Sequence, residues 1–242
     1  MNRDIEEAAR VLEIEARAID ALRSRLGEPF IKALDLLFAC DGKVVVTGMG
    51  KSGHVGRKIA STMSSTGMPS VFLHPAESSH GDLGMVSSKD VIIAISYGGE
   101  TPELQDVLKF CARKGIPLIG MSGKTGSTLA RAATVFLDVG VESEACPLGL
   151  APTASSTATL ALGDALAMCL LKRKGFKEED FAEYHPGGSL GRRLLTRVED
   201  VMHAGDGLPL VTPESGMRDV LTLMTKKEVR GVAGVIDANG SL

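Results

Sequence analysis

Two segments rich in glycine and hydroxyl side chains could bind a small anion. Residues 47–56 read TGMGKSGHVG, and residues 96–102 read SYGGETP. Glycine permits a tight turn and a close approach of the backbone, and a helix that follows presents free N–H groups and the positive end of its dipole. Lys51 and Ser52 add a charge and a hydroxyl to the first segment. Both segments are therefore predicted to be anion-binding loops.

The first loop is compatible with more than one anion. A Walker A nucleotide loop would need a glycine at position 45, where the chain has Val45. A dinucleotide fingerprint GxGxxG is met at 48–53, but His74 stands where an acidic residue should close the second strand, with Glu77 as a weak substitute. Two loops with hydroxyl groups can surround one compact phosphate, which favours a phosphosugar over a dinucleotide.

The apolar pattern indicates the elements that position these loops. Short runs of bulky apolar residues without alternation, typical of strands buried on both faces, occur at 43–48, 70–74, 90–96, 116–122 and 133–139. Helical periodicity or spacing is found at 5–26, 28–40, 53–66, 102–114, 127–132 and 153–174. Repeated β–α units predict an α/β fold: a doubly wound, three-layer parallel sheet of about five strands with its site at the carboxyl ends of the strands.

Composition excludes several classes of protein. The 27 Lys and Arg residues are outnumbered by 30 Asp and Glu residues, so no positive field is available to bind nucleic acid. The acidic, periodic N-terminus lacks the features of a signal peptide, and no uninterrupted apolar run approaches the roughly 18 residues of a membrane span. A soluble cytoplasmic globule is predicted, with neither nucleic acid nor membrane as a partner.

The four cysteines predict neither a structural zinc site nor a disulfide framework, because they are widely spaced and form no CxxC pair. Cys146 differs from the others in lying in the polar, glycine-rich stretch EACPLGLAPT. A structural or substrate-shaping role is favoured for it over a nucleophilic one. No metal site is predicted.

The chain changes character after Arg197. Residues 198–242 contain a linker with Gly and Pro, then a helix, a strand and an Asn-Gly turn. This segment resembles the first part of a CBS (cystathionine-β-synthase-type) module, which needs far more residues when complete. Two domains are therefore predicted: the α/β domain over 1–196, and a linker with an incomplete first CBS repeat over 197–242.

Five segments resemble the sugar isomerase (SIS) domain of arabinose-5-phosphate isomerases in order and spacing. They are GMGKSGHVGRK, HPAESSHGDLGMV, AISYGGETPE, EACPLGLAPTASSTATLALGDALA and FAEYHPGGSLGRR. The resemblance implies a flavodoxin-like SIS fold and an enzyme that interconverts D-ribulose 5-phosphate and D-arabinose 5-phosphate, a supply step for the lipopolysaccharide sugar Kdo. It also implies a homo-oligomer, a tetramer, with the N-terminal amphipathic helix as a candidate packing surface.

Moving a carbonyl between C1 and C2 needs a base for a carbon-bound proton, an acid–base group for an oxygen-bound proton and stabilisation of the enediolate. The resemblance assigns this work to Lys51, Glu103, Glu144 and His185, without a metal or other cofactor, and leaves open which glutamate is the base. The residues after His185 are Pro-Gly-Gly, which predicts an extended backbone and a displayed imidazole. The sequence suggests no structural role for Glu144.

Phosphate and sugar contacts are expected from the two loops and a third segment. They are Gly50, Ser52, Gly53, His80, Ser96, Gly98 and Thr101. Many members of the family have a serine where this chain has Gly98, so one hydroxyl is missing from the second loop. Structural alternatives stay open for two acidic residues, because Glu103 could stabilise a helix dipole and Asp82 could cap a helix.

Two other functions are compatible with these features. SIS domains also serve as non-catalytic sugar-phosphate sensors, which would keep the loops but could dispense with Glu103, Glu144 and His185; the helix-turn-helix of a regulator is not apparent. An NAD-dependent oxidoreductase would have to bind nicotinamide. In related isomerases the site often forms between subunits, so a neighbouring chain could supply a histidine.

Overall fold

The structure is a computed structural model that describes residues 2–225 and 231–242. Residues 226–230 belong to the predicted second domain and lie outside the described residues. The chain divides into two compact units, Met1–Gly191 and Arg192–Leu242. The first unit contains the α/β fold and every residue predicted to act in the site. The domain limits of 1–196 and 197–242 stay a prediction.

The first unit is built on a five-stranded parallel sheet, which confirms the predicted fold class. Its strands are β1 Val44–Gly48, β2 Ser70–Leu73, β3 Val91–Ile95, β4 Leu118–Ser122 and β5 Val135–Asp138, in the spatial order β2-β1-β3-β4-β5. Val44 lies in register with Ser70 on one side and with Val91 on the other. Because the strand order reverses at β1, the carboxyl ends of β1 and β3 mark the switch point where such sheets bind ligands.

Helices cover both faces of the sheet and complete the three layers. They are α1 Arg3–Arg23, α2 Glu28–Phe38, α3 Gly50–Ser65, α4 Pro75–Ser78, α5 Gln105–Lys114, α6 Thr128–Ala132, α7 Ala154–Lys174 and α8 Glu178–Tyr184. One core joins α1, α2, α3 and α7 to the sheet face that contains Val46 and Ile93. The other joins α5 and α6 to the face that contains Val45 and Ile92. Successive strand residues point into opposite cores. Because both cores are apolar, the strand sequences show no alternation between apolar and polar residues.

Helix α1 turns most of its apolar pattern away from the core. Ala18 and Leu22 are buried, whereas Ile5, Leu12 and Ile19 are 59%, 69% and 40% exposed. Those three residues are spaced by seven positions, and Leu26, just beyond the helix, continues the series at 48% exposure. The exposed stripe formed by Ile5, Leu12, Ile19 and Leu26 therefore has no covering element within the described part of this chain.

Helix α7 is the central helix of one core. Among the described residues it is the one helix long and apolar enough, by length and composition, to cross a membrane, and half of its most apolar stretch is buried inside the first unit. It packs against α1, α2 and α3, and Leu162, Leu166 and Leu170 are buried. Its apolar character is accounted for by this burial.

The second unit is small. After α9 Ser189–Leu195 the chain forms α10 Val198–Val201, strand β6 Leu210–Val211, α11 Met217–Met224 and strand β7 Gly234–Val235. The two short strands pair in parallel, with Leu210 opposite Gly234. A helix and a strand after the linker agree with the expected element order, while the resemblance to a CBS repeat stays a prediction.

Candidate active site

The first loop is shorter than predicted, because α3 begins at Gly50 rather than near residue 53. Gly50 has a φ of 58°, a value that glycine adopts without strain. A Cβ on Gly53 would lie 2.6 Å from the Gly48 oxygen, and one on Gly48 would lie 2.9 Å from the Ile95 oxygen. These glycines let the start of α3 press onto β1 and β3, so its free N–H groups face the switch point.

A cavity of about 270 Å³ opens between the first turns of α3 and α7. Its walls are Met49, Lys51, Ser52, Val55, Tyr97, Pro152, Ser155, Ser156 and Thr159. The N-terminus of α3 and several hydroxyl groups thus face one space, an arrangement suited to a polyhydroxylated anion. The structure brings the predicted Lys51 and Ser52 together here. Gly53 is buried, and its N–H is bonded to Met49 O at 3.3 Å, so its role is packing.

In the second loop a hydroxyl pair is ordered by the backbone. The Gly99 N–H donates to Ser96 Oγ at 3.0 Å, and Ser96 Oγ lies 2.7 Å from Thr101 Oγ1. Ser96 is buried, and among the described residues Thr101 is the acceptor within reach of its proton. Either hydroxyl can be the donor in this pair, and with Ser96 as the donor the half-buried Thr101 hydroxyl is left to donate outward. Ser96 lies behind Thr101 rather than beside it as an equal phosphate ligand.

Glu100 ties the second loop to α6, a contact that sequence reasoning missed. Its carboxylate accepts from Thr128 N at 2.7 Å and from Thr128 Oγ1 at 2.6 Å, and these bonds hold the pKa of Glu100 below its ordinary value. Leu129 N donates to Gly99 O at 3.1 Å. The second loop is thus anchored by α6. Glu100 and Thr128 are 28 positions apart, so no local sequence pattern predicted this contact.

Glu144 has the structural role that the sequence did not reveal. Its Oε2 accepts from Thr153 N at 2.7 Å, Thr153 Oγ1 at 3.0 Å and Ser155 N at 3.3 Å, at the start of α7. Burial raises the pKa of Glu144, but hydrogen bonds from Ser155 and Thr153 outweigh burial and hold the pKa below its ordinary value. At neutral pH the side chain is a carboxylate next to a wall of the cavity.

Glu103 lies in a 3-10 turn, Pro102–Leu104, immediately after the second loop. Its side chain is exposed, and no hydrogen bond or ion pair to it occurs within the described part of the chain. It is in the first turn of that element, as predicted, where its charge also suits the helix dipole. Both the dipole role and a chemical role therefore stay open for Glu103.

His185 is packed rather than displayed, so that prediction was wrong. Its ring stacks on Phe181 with centroids 3.9 Å apart, and Nδ1 lies 2.9 Å from Phe181 O. Phe181 and His185 are four residues apart at the end of α8, a spacing that brings side chains together. The FAEYH sequence contained this signal.

His185 also lies at the far end of α3 from Lys51. Its neighbour Tyr184 shares a surface depression with Ser64 at the end of α3 and with Ser70 at the start of β2. Because a helix rises about 1.5 Å per residue, Lys51 and Ser64 are roughly 20 Å apart along α3. One chain therefore does not bring His185 to the cavity that Lys51 lines.

His80 and Asp82 belong to the segment that follows β2. His80 is exposed, and the next residue, Gly81, has a φ of 120°. The 3-10 helix Asp82–Met85 has Gly81 as its cap residue, without a side-chain cap bond, so Asp82 does not make the expected cap. His80 is not among the residues that line the cavity.

The cysteines are free thiols, and backbone N–H groups of Ala151, Leu150 and Leu148 hold the pKa of Cys146 below its ordinary value. In residues 2–225 and 231–242 no group of three or more His, Cys, Asp or Glu side chains could hold a metal ion. The hydroxyl-bearing residues missed from the sequence are Tyr97, Ser155, Ser156 and Thr159, which line the cavity. The hydroxyl-rich run TASST at the start of a predicted helix was the available signal for two of them.

The sheet topology, the two loops and the cavity at the switch point define a doubly wound α/β protein with a site for a small anion. The family model described as SIS domain matches residues 37–169, from the end of α2 into α7. Among curated proteins, the chain is 54% identical over 238 residues to "Arabinose 5-phosphate isomerase KdsD" of Pseudomonas aeruginosa, which covers 98% of this chain and 73% of that protein. With the protein of the same name from Escherichia coli K12, identity is 52% over 237 residues, or 98% and 72% of the two chains.

A solved structure supports the same assignment. A protein of E. coli CFT073 in complex with arabinose 5-phosphate is 41% identical, superposes with a TM-score of 0.74, and covers 77% of this chain and 100% of that one. The chain belongs to the family of arabinose 5-phosphate isomerases. The resemblance found in the sequence motifs is thereby confirmed.

Proposed function

We propose that this chain is an aldose–ketose isomerase that interconverts D-ribulose 5-phosphate and D-arabinose 5-phosphate through an enediol. The observation that carries the proposal is the cavity between the starts of α3 and α7, which holds Lys51 and hydroxyl groups, together with membership of the family. Supply of the sugar Kdo for lipopolysaccharide and a cytoplasmic location follow from the same resemblance. The alternative, a sugar-phosphate sensor, would bind the ligand without converting it.

In the proposed mechanism a carboxylate removes the carbon-bound proton, and Lys51 stabilises the charge that develops on oxygen. Glu144 is ionised at neutral pH, as a base requires, although the bonds that lower its pKa also weaken it as a base. Glu103 has no such bonds among the described residues. Either glutamate fills the role of base, and His185 relays the oxygen-bound proton. No metal or other cofactor is part of this mechanism.

The phosphate is proposed to bind where the two loops meet the start of α3. Gly50 and Ser52 contribute from the first loop, and Thr101 donates its hydroxyl from the second, supported by Ser96. Gly98 brings the backbone close to the anion. The more distant His80 is proposed to contact sugar hydroxyls, as the resemblance implies.

A homo-oligomer, a tetramer by resemblance, is proposed because the site is incomplete in one chain and α1 has an uncovered face. The exposed stripe has the seven-residue spacing of helices that pair along one seam. Residues 3–15 carry five carboxylates and two arginines, whereas residues 16–25 carry three arginines and one carboxylate. Antiparallel pairing with α1 of a second copy would place opposite charges together, as a two-fold interface requires.

The purified protein is expected to convert ribulose 5-phosphate into arabinose 5-phosphate, which NMR would detect by the anomeric proton signal of the product. Arabinose 5-phosphate as the starting sugar should give the reverse conversion to the same equilibrium mixture. A folded oligomer that binds the sugar phosphate in calorimetry but leaves it unchanged would favour the sensor over the enzyme. Binding of nicotinamide dinucleotide instead would favour the oxidoreductase.

Gly98→Ser is expected to lower KM for the phosphosugar roughly 10- to 100-fold with little change in kcat. A charge-assisted hydrogen bond contributes roughly 1.5 to 3 kcal/mol, and phosphate contacts bind ground and transition states alike. The structure permits the change, because a Cβ on Gly98 meets no atom within 4 Å and its φ is not positive.

Gly99→Ser is the matched control for this substitution. Gly99 has a φ of 71°, and a Cβ there would lie 2.1 Å from Ser127 Oγ, so a side chain should disturb the loop and raise KM. Steady-state kinetics of the two variants would compare them directly. If Gly98→Ser also raised KM, the missing hydroxyl would not be what limits phosphate binding.

A further inference from the structure

Helix α1 contacts the segment around Glu144 with polar side chains. Arg10 Nη2 donates to the backbone oxygen of Ala145 at 2.6 Å, across 135 positions of sequence. Glu7, one turn earlier, holds the same guanidinium through bonds of 2.9 and 2.6 Å. Ala145 is fully buried, so the part-exposed Arg10 supplies a donor to a carbonyl that is itself shielded from water.

Two further bonds join the α1 region to the same part of the chain. Thr157 Oγ1, in the first turn of α7, donates to Glu15 Oε2 at 2.8 Å. Arg25, just beyond α1, donates to the Gly140 oxygen. The α1 region thus bonds to three places around Glu144: Gly140 before it, Ala145 directly after it, and Thr157 in α7.

Glu144 connects these contacts to the cavity. Its carboxylate accepts from Thr153 and Ser155 at the start of α7, and Ala145 N donates to Thr153 Oγ1 at 2.8 Å. Residues 144–145 and the start of α7 therefore form one hydrogen-bonded group, and Ser155 is part of the cavity wall. A shift of Ala145 would move the Glu144 carboxylate and this wall together.

We propose that Arg10 is a positioning residue for the isomerase site: by holding the Ala145 carbonyl, it sets the Glu144 carboxylate relative to the cavity between α3 and α7. The inference rests on the proposed function. Arg10 acts through Ala145 and Glu144 and touches no substrate.

A general contribution to stability is the competing role for Arg10. Its ion pair with Glu7 is exposed, with 41% and 48% of the two side chains accessible, and exposed pairs contribute little to stability. The bond to Ala145 O differs, because a buried carbonyl without a partner is costly. Arg17 provides the comparison: it lies seven residues later on the same side of α1, and among the described residues it hydrogen-bonds to Glu13 alone.

Arg10→Ala is expected to lower kcat on the order of 10- to 100-fold, the scale for a displaced catalytic group, with KM changed less than about threefold. Arg17→Ala should leave both constants near the wild-type values. Arg10→Lys keeps a donor that can reach the Ala145 oxygen and should restore part of the lost kcat. All three variants should keep the wild-type oligomeric state in size-exclusion chromatography.

Amide hydrogen exchange gives a second measurement that does not depend on turnover. In Arg10→Ala the amides of residues 144–155 should exchange faster than in Arg17→Ala, because the segment loses an anchor. An unchanged kcat in Arg10→Ala would overturn the proposal whatever the exchange shows, and so would an equal loss of kcat in Arg17→Ala. Absence of isomerase activity in the wild-type protein would overturn the proposed function instead, and exchange would still decide whether Arg10 holds this segment.

Discussion

Lys51→Ala is expected to lower kcat at least about 100-fold, the usual scale for the loss of an acid–base or electrostatic group. Lys51 is exposed on the first turn of α3 and lines the cavity. Within the described part of the chain its ammonium group has no carboxylate partner, so removing it should not destabilise the fold. Steady-state kinetics with ribulose 5-phosphate would measure the loss.

Lys58→Ala is the control on the same helix. Lys58 lies two turns further along α3, and its ammonium is bonded to Asp164 Oδ2 of α7 at 2.6 Å. This pair is partly exposed, so its loss should change stability slightly and kcat hardly at all. A near wild-type rate in Lys51→Ala would remove Lys51 from the mechanism.

His185→Ala is expected to lower kcat by a similar factor of at least about 100, as for other acid–base groups. In one chain His185 lies at the opposite end of α3 from Lys51. The two residues can serve one site only if different subunits supply them, as the proposed oligomer allows. The two inactive variants should therefore complement each other when they assemble together.

Co-expression of Lys51→Ala with His185→Ala should restore activity to up to about a quarter of the wild-type level, because random mixing pairs an intact Lys51 with an intact His185 at that share of sites. The control is Lys51→Ala co-expressed with the double variant, in which no chain offers Lys51. Failure of the first mixture, in oligomers shown by tag pull-down to contain both chains, would contradict a site shared between subunits.

The fold could be predicted because its signals are local. The run KVVVTG and its four counterparts are apolar on both faces and alternate with helical segments, and the two properties together indicate parallel strands covered by two helix layers. The start of α3 was predicted less accurately. The helix begins at Gly50, which has a positive φ that glycine adopts without strain, and apolar periodicity carries no information about such a backbone conformation.

The site could be predicted only in part. The two loops and Lys51 follow from residue types and spacing, since a glycine-rich turn before a helix favours anions wherever it occurs. Glu100 and Glu144 are different, because their partners Thr128 and Thr153 become neighbours only through the crossovers of the fold. The packing of His185 on Phe181 was visible as an i, i+4 aromatic pair and was missed.

The α1 stripe shows a different limit of sequence reasoning. The apolar periodicity of residues 5–26 correctly predicted a helix and made it a candidate packing surface. It did not distinguish Leu22, which the core buries, from the exposed residues Ile5, Leu12 and Ile19. An apolar face indicates that something covers it, and the sequence does not distinguish the chain's own core from a second copy.

The order of elements along the chain has a consequence for synthesis on the ribosome. Helices α1 and α7 pack together, yet α1 ends at Arg23 and α7 begins at Ala154. At about 5–20 residues per second, translation needs on the order of ten seconds to pass from one to the other. During that delay α7 is absent, so the inner face of α1 is uncovered. The exposed stripe on its outer face is uncovered as well, because no folded second copy is available to pack on it. A nascent chain that stalls before Ala154 therefore exposes apolar surface on two sides of its first helix, and we expect chaperones to bind α1 in such a chain.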